Sequence, residues 1–144
     1  MKITYLDGID EVIEIHKKTI IASGGGLLGV IDIGPLESAL AHIQNDDYYP
    51  DFVDKLTHLF FSADKSHCFS DGNKRIAITL CTMFLLKNGY LYIAERFLHR
   101  TEMISLQVAK GSISKELLKR LIRSILEEDD YSEELKLELA NAIS

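Results

Sequence analysis

The run from Ile76 to Leu86 limits the possible folds more than any other segment. Ile76, Ala77, Leu80, Cys81, Met83, Phe84 and Leu85 cover most of the circumference of a helix, and Asn88-Gly89 supplies a stop signal. A helix that is apolar on nearly every side must be surrounded by protein, so the pattern predicts a central, buried helix. Thr79 and Thr82 interrupt the run and Lys87 closes it, well short of the roughly 20 apolar residues that a membrane span needs. The rest of the chain must therefore supply the walls.

Those walls read as helices. Asp7 stands at an N-cap position, and Ile9, Val12, Ile13, Ile15, His16 and Ile20 follow at helical spacing up to the glycines at 24 to 26. Pro35 opens a second, short helix carrying Leu36, Ala39, Leu40 and Ile43, which stops near Asn45-Asp46-Asp47. Tyr48, Tyr49 and Pro50 mark a turn, and from Asp51 the residues Phe52, Val53, Leu56, Leu59, Phe60 and Ala63 form a third helical face leading to the polar Asp64-Lys65-Ser66. Beyond the central helix, Tyr90 to Ile93 is read as a short extended piece. A helix from about Ala94 to Lys110 then ends at Gly111. Ser112 or Ser114 caps a further helix to about Glu127, and Ser132 caps one more over residues 132–144. Gly24 to Gly34, with five glycines, is expected to be an exposed loop or short hairpin. The prediction is an all-α domain spanning residues 1–144, with a possible short β-hairpin flap. A chain of 144 residues with 47% hydrophobic content suffices for one core.

Composition removes several function classes. The formal charge of −6 makes nucleic acid an unlikely partner, because such binding requires Lys and Arg to neutralise several phosphates. Lys110, Lys115, Lys119, Arg120 and Arg123 cluster, and a run of acids from Glu127 to Glu138 follows, both read as solvated helix faces. Cys68 and Cys81 are the only cysteines, too few for a disulfide scaffold and without zinc-ligand spacing. Met1 to Asp7 reaches an acidic residue before any apolar leader develops, so a cytoplasmic location is expected.

The chemistry is concentrated in His67-Cys68-Phe69-Ser70-Asp71-Gly72-Asn73-Lys74-Arg75, placed just before the central helix. One loop thus supplies a candidate base, an oxygen ligand for a hard metal and two cations. The helix that begins there presents unpaired N–H groups and the positive end of its dipole to phosphate oxygens. Gly72 permits close backbone approach. Lys74 and Arg75 add direct phosphate contacts. Asp71 suits Mg²⁺, which commonly bridges a carboxylate and substrate phosphates. His67, with an ordinary pKa of about 6.5, is suited to take a proton from an attacking hydroxyl. Phe69 is expected to anchor the loop in the core.

The pattern His-x-Phe-x-Asp-x-Asn-Lys-Arg resembles the signature of the Doc (death-on-curing) branch of the Fic family. Gly25-Gly26-Leu27-Leu28-Gly29, Asp32-Ile33-Gly34 and Leu36-Glu37-Ser38-Ala39 are similar to that family's early glycine loop and following helix. The resemblance covers about residues 5 to 125. It implies a compact Fic-fold helical bundle that binds ATP and Mg²⁺ and uses a flap, here Gly24 to Gly34, to align a protein target. It also implies His67 as catalytic base, Asp71 as metal ligand, and Gly72, Asn73, Lys74 and Arg75 at the nucleotide phosphates. The AMP-transferring members have Gly where this chain has Lys74, and a second Arg where it has Ile78. The departure favours phosphoryl transfer to a Ser/Thr hydroxyl, as in Doc, over the alternative of adenylyl transfer (AMPylation). Elongation factor Tu is among the family's targets. Self-inhibited members carry Ser/Thr-x-x-x-Glu-Gly/Asn, which Ser124 to Glu128 fails to complete because Asp129 follows. A separate antitoxin is therefore expected.

Competing motifs are weak. Gly24-x-Gly26-x-x-Gly29 follows a helix and lacks a strand-turn-helix setting, and no Lys-Ser/Thr pair follows it. His16, His42, His58 and His99 form no metal-hydrolase pattern and are expected to be surface or helix-packing residues. The rival from another class is a noncatalytic, nucleotide-binding helical module.

Overall fold

The computed structural model describes residues 2–144 and folds them into seven helices: α1 (Ile9–Ala22), α2 (Gly34–His42), α3 (Phe52–Lys65), α4 (Asn73–Lys87), α5 (Leu91–Lys110), α6 (Lys115–Glu127) and α7 (Glu133–Ile143). The apolar run becomes α4, and Ile76, Ala77, Ile78, Leu80, Cys81, Phe84 and Leu85 are buried along it. α4 lies against α1, α3 and α5, and α6 closes the far side over α3 and α5. Met83, counted above as part of the buried circumference, instead reaches the surface, where it helps to line a groove beside α1. One continuous cluster of buried residues extends from Leu6 to Leu139 and reaches all seven helices. No helix among the described residues is long and apolar enough to cross a membrane.

Local signals set most boundaries. Asp51 caps α3 with a reciprocal box, its carboxylate accepting from the Asp54 N–H at 2.9 Å while Asp54 accepts from the Asp51 N–H at 3.4 Å. Ser114 and Ser132 cap α6 and α7 by accepting from the amides three residues on. Gly111 ends α5 in the left-handed conformation at φ 85°.

Three expectations need correction. The N-cap of α1 is Gly8, with no side-chain cap, so Asp7 does not play that part. Leu91 to Ile93 form the first turn of α5 rather than an extended piece. The segment from Gly24 to Ile33 forms no hairpin of its own. Its strand-like pairing is a single antiparallel bridge between Val30 and Phe69, because the partner that satisfies its backbone is the motif loop.

Candidate functional site

Residues 66–72 leave α3 and enter α4 over a short, heavily tied path. The Ile31 N–H donates to the Cys68 carbonyl at 2.8 Å and the Asp32 N–H to the same oxygen at 3.2 Å. The Ser70 N–H donates to the Gly29 carbonyl at 2.9 Å. These bonds fasten the glycine-rich flap to the motif loop through main-chain atoms. Asn73 adds an internal clasp: its amide donates to the Phe69 carbonyl at 3.0 Å, and its side-chain oxygen accepts from the Phe69 N–H at 3.1 Å. The Asn73 carboxamide thus holds the loop with its oxygen and one of its two N–H donors.

Phe69 is buried at 1% exposure, while His67 beside it is exposed. His67 is the one non-glycine residue among those described with a positive φ, 48°, a conformation that costs an L-residue roughly 1–2 kcal/mol. The ties on either side, Ser66 closing α3 and Cys68 bonded to the flap, hold the imidazole at the surface against that cost.

Asp71 and Arg75 lie one turn apart, with Arg75 Nη2 3.6 Å from Asp71 Oδ1 and both side chains partly open to solvent. Asp71 Oδ1 also accepts from the Gly72 N–H at 2.8 Å. Gly72 caps α4 with a left-handed φ of 77°, and a side chain there would lie 2.6 Å from Ile20 Cδ1. Glycine is thus required both by conformation and by space. α4 has no acidic residue in its first turn, yet Lys74 and Arg75 stand there. Two cations at the positive end of a helix dipole are mutually unfavourable, and a bound polyanion reverses the sign of that interaction.

Lys74, Arg75 and Ile78 continue into a groove of about 440 Å³ whose other walls include Thr19 of α1, Ser23 at its C-cap and Glu102 from α5. His67 and Asp71 lie outside that lining, at the loop end of the arrangement. Asp71 offers one hard oxygen donor beside the unpaired amides of the first turn of α4. No group of three or more His, Cys, Asp and Glu side chains gathers for a metal among the described residues. A donor set of one carboxylate fits an ion such as Mg²⁺ that takes its remaining ligands from phosphate and water.

Two residues at the site have no signal in the motif. His16, expected to be a surface or helix-packing residue, is 1% exposed. Its ring stacks on Phe69 at a centroid distance of 3.7 Å and an interplanar angle of 9°. Its Nε2 is 2.8 Å from the Asp71 carbonyl oxygen. Asp64, read as part of a polar helix end, is 1% exposed and neither carboxylate oxygen has a partner. Burial raises its pKa to about 7 against the pull of Lys74 and Lys65.

Comparison with known proteins agrees with this architecture. The family model described as the Fic/DOC family matches residues 5–85. A protein named Toxin Doc from Mycolicibacterium smegmatis is 37% identical over 103 residues, covering 66% of this chain and 79% of that protein. The protein named Protein kinase doc from Escherichia phage P1 is 33% identical over 84 residues, covering 56% of this chain. The match spans 65% of the phage protein's length. The family match runs from before α1 to near the end of α4, taking in the flap, the motif loop and the helix whose N-terminus they surround, and by that match the chain belongs to the Fic/Doc family.

Proposed function

We propose that the protein is a Doc-like toxin that transfers the γ-phosphoryl group of ATP to a Ser or Thr hydroxyl of a protein. The observation that carries this reading is the placement of Lys74 and Arg75, with no acidic residue in the first turn of α4, beside an exposed His67 and a partly exposed Asp71 that lies 3.6 Å from the Arg75 guanidinium. That end of the molecule is built to receive a polyanion and to put a base next to it. The free amides of the first turn of α4 and the Arg75 guanidinium hold phosphate oxygens, and Lys74 adds a point charge. Asp71 is the residue that would hold Mg²⁺, and the ion would supply charge neutralisation at the transferring group.

His67 takes the proton of the target hydroxyl as its oxygen forms a bond to the γ-phosphorus. The bond from that phosphorus to the bridging β–γ oxygen breaks, ADP leaves, and His67 returns its proton to solvent. Proximity and charge stabilisation do most of the work in such a transfer. The flap, bonded to the loop that carries His67, is the surface along which the target segment aligns. Ile78 supports phosphoryl over adenylyl transfer: it is an apolar residue of the groove wall one turn beyond Lys74, where the AMP-transferring pattern places a second phosphate-gripping arginine.

The same reading includes an antitoxin partner and a target such as elongation factor Tu. The test is incubation with cell extract and ATP labelled at either the α or the γ phosphate, with His67→Ala as control. The expected result is γ-label on one protein band, absent with His67→Ala. Label from the α phosphate replaces this reading with adenylyl transfer. No label from either, with ATP still bound, leaves a nucleotide-binding module.

A further inference from the structure

We propose that His16 is a positioning residue for Asp71, acting through a single peptide plane. The Asp71 carbonyl oxygen that faces His16 and the Gly72 N–H that faces the Asp71 carboxylate belong to the same peptide unit. That unit is planar and trans, so fixing one end fixes the other. His16 Nε2 grips the carbonyl end at 2.8 Å. The amide end holds Asp71 Oδ1 at 2.8 Å. A carbonyl can only accept, so Nε2 carries the hydrogen.

A packing role alone does not account for a histidine here. Of the five histidines, His16 is the one fully buried. Burying an imidazole is unfavourable unless its polar edge is satisfied. A leucine or phenylalanine would pack against Phe69 without that requirement. The Asp71 carbonyl, in turn, lies just outside α4, whose first helical bond runs from the Ile76 N–H to the Gly72 carbonyl. Its described donor is His16 across 55 residues of sequence, in a part-buried bond, and a carbonyl withdrawn from solvent without a donor is costly. Ile20, one turn further along α1, closes on Gly72. One face of α1 thus forms the floor on which the loop is set, and His16 is its directional contact.

The catalytic consequence rests on the Mg²⁺-ATP reading above, whereas the structural claim does not. Two variants separate positioning from packing. His16→Phe keeps the stack on Phe69 and removes the donor. His16→Gln gives up the stack and keeps a side-chain N–H at comparable reach. The expected result is an affinity for Mg²⁺-ATP weakened roughly 10–100-fold in His16→Phe and restored toward wild type in His16→Gln, although His16→Phe is the more stable variant in urea. A residue that only fills space gives the opposite order. The Gly72 amide resonance of the nucleotide-free protein is the second readout: it should shift and exchange faster with solvent in His16→Phe and stay near its wild-type position in His16→Gln. An unmoved Gly72 resonance in His16→Phe, or weaker nucleotide binding in His16→Gln than in His16→Phe, overturns the proposal. A wild type that fails to bind Mg²⁺-ATP overturns the functional reading and leaves the Gly72 resonance to decide the role of His16.

Discussion

Gly26 has a φ of 149°, and a Cβ at that position would lie 2.6 Å from Asp71 Oδ2. The flap therefore touches the carboxylate through the absence of a side chain. Gly26→Ala should displace the Asp71 carboxylate and weaken Mg²⁺-ATP binding severalfold in calorimetry, while urea stability falls by only about 1 kcal/mol because the segment is exposed. Phe69 has the opposite profile. It is buried under His16 and among the core residues, so Phe69→Ala should lower urea stability by about 3–5 kcal/mol. Wild-type stability in Phe69→Ala would remove its anchoring role. The two differ in legibility: an apolar side chain inside a polar motif already marks Phe69 as an anchor, and it is buried, whereas the role of Gly26 in a glycine-rich loop appears only once its neighbour Asp71 is known.

At the level of elements, the flap is held to the motif loop by a few main-chain bonds, and Ile31 supplies one of them. Ile31→Pro removes the N–H that reaches Cys68. The flap should then be cut faster by protease between residues 24 and 32, with target labelling reduced and ATP affinity retained. Unchanged protease resistance would mean that the bridge contributes little. The same segment shows where sequence reasoning stops. Caps such as Ser114 and Ser132 and the stop at Gly111 act within a turn of their own residue, so local pattern was enough to place α6, α7 and the end of α5. The motif loop was legible for a similar reason, because its chemical side chains are adjacent in the chain. The flap's partner, the burial of His16 and the burial of Asp64 depend on residues that meet only in three dimensions. Lys55 makes the point within α3: it lies on the buried side, its ammonium bonded to the Ile43 carbonyl and to Asp46, each at 2.7 Å, and no helical periodicity assigns a lysine there.

For the whole molecule, buried Asp64 and half-buried His58 act on stability in opposite pH directions. Asp64 has a folded-state pKa of about 7 against an ordinary 3.8, from burial opposed by Lys74 and Lys65. The folded state then holds a proton that the unfolded chain has released, so stability falls as pH rises from about 4 to 7 and stays lowered above that. His58 runs the other way: burial, then Lys115 and His42, lower its pKa from 6.5 to about 4, and stability falls as pH drops through that window. Asp64→Asn should remove the first effect alone, so its stability relative to wild type should rise by roughly 2–4 kcal/mol between pH 4 and pH 8. A difference that stays flat with pH would show that Asp64 is ionised in the folded protein at neutrality. The position of α4 has a further consequence for how the molecule comes into being. The loop, the flap and α1 all precede α4 in the chain, whereas α5, which covers another side of α4, follows it. On a translating ribosome the loop side chains His67 and Asp71 emerge first, but the helix that follows them remains partly uncovered until α5 has emerged as well. Order of synthesis thus separates the appearance of the chemical groups from the assembly of their support, and a growing chain carries the motif for some time before the motif can hold its shape.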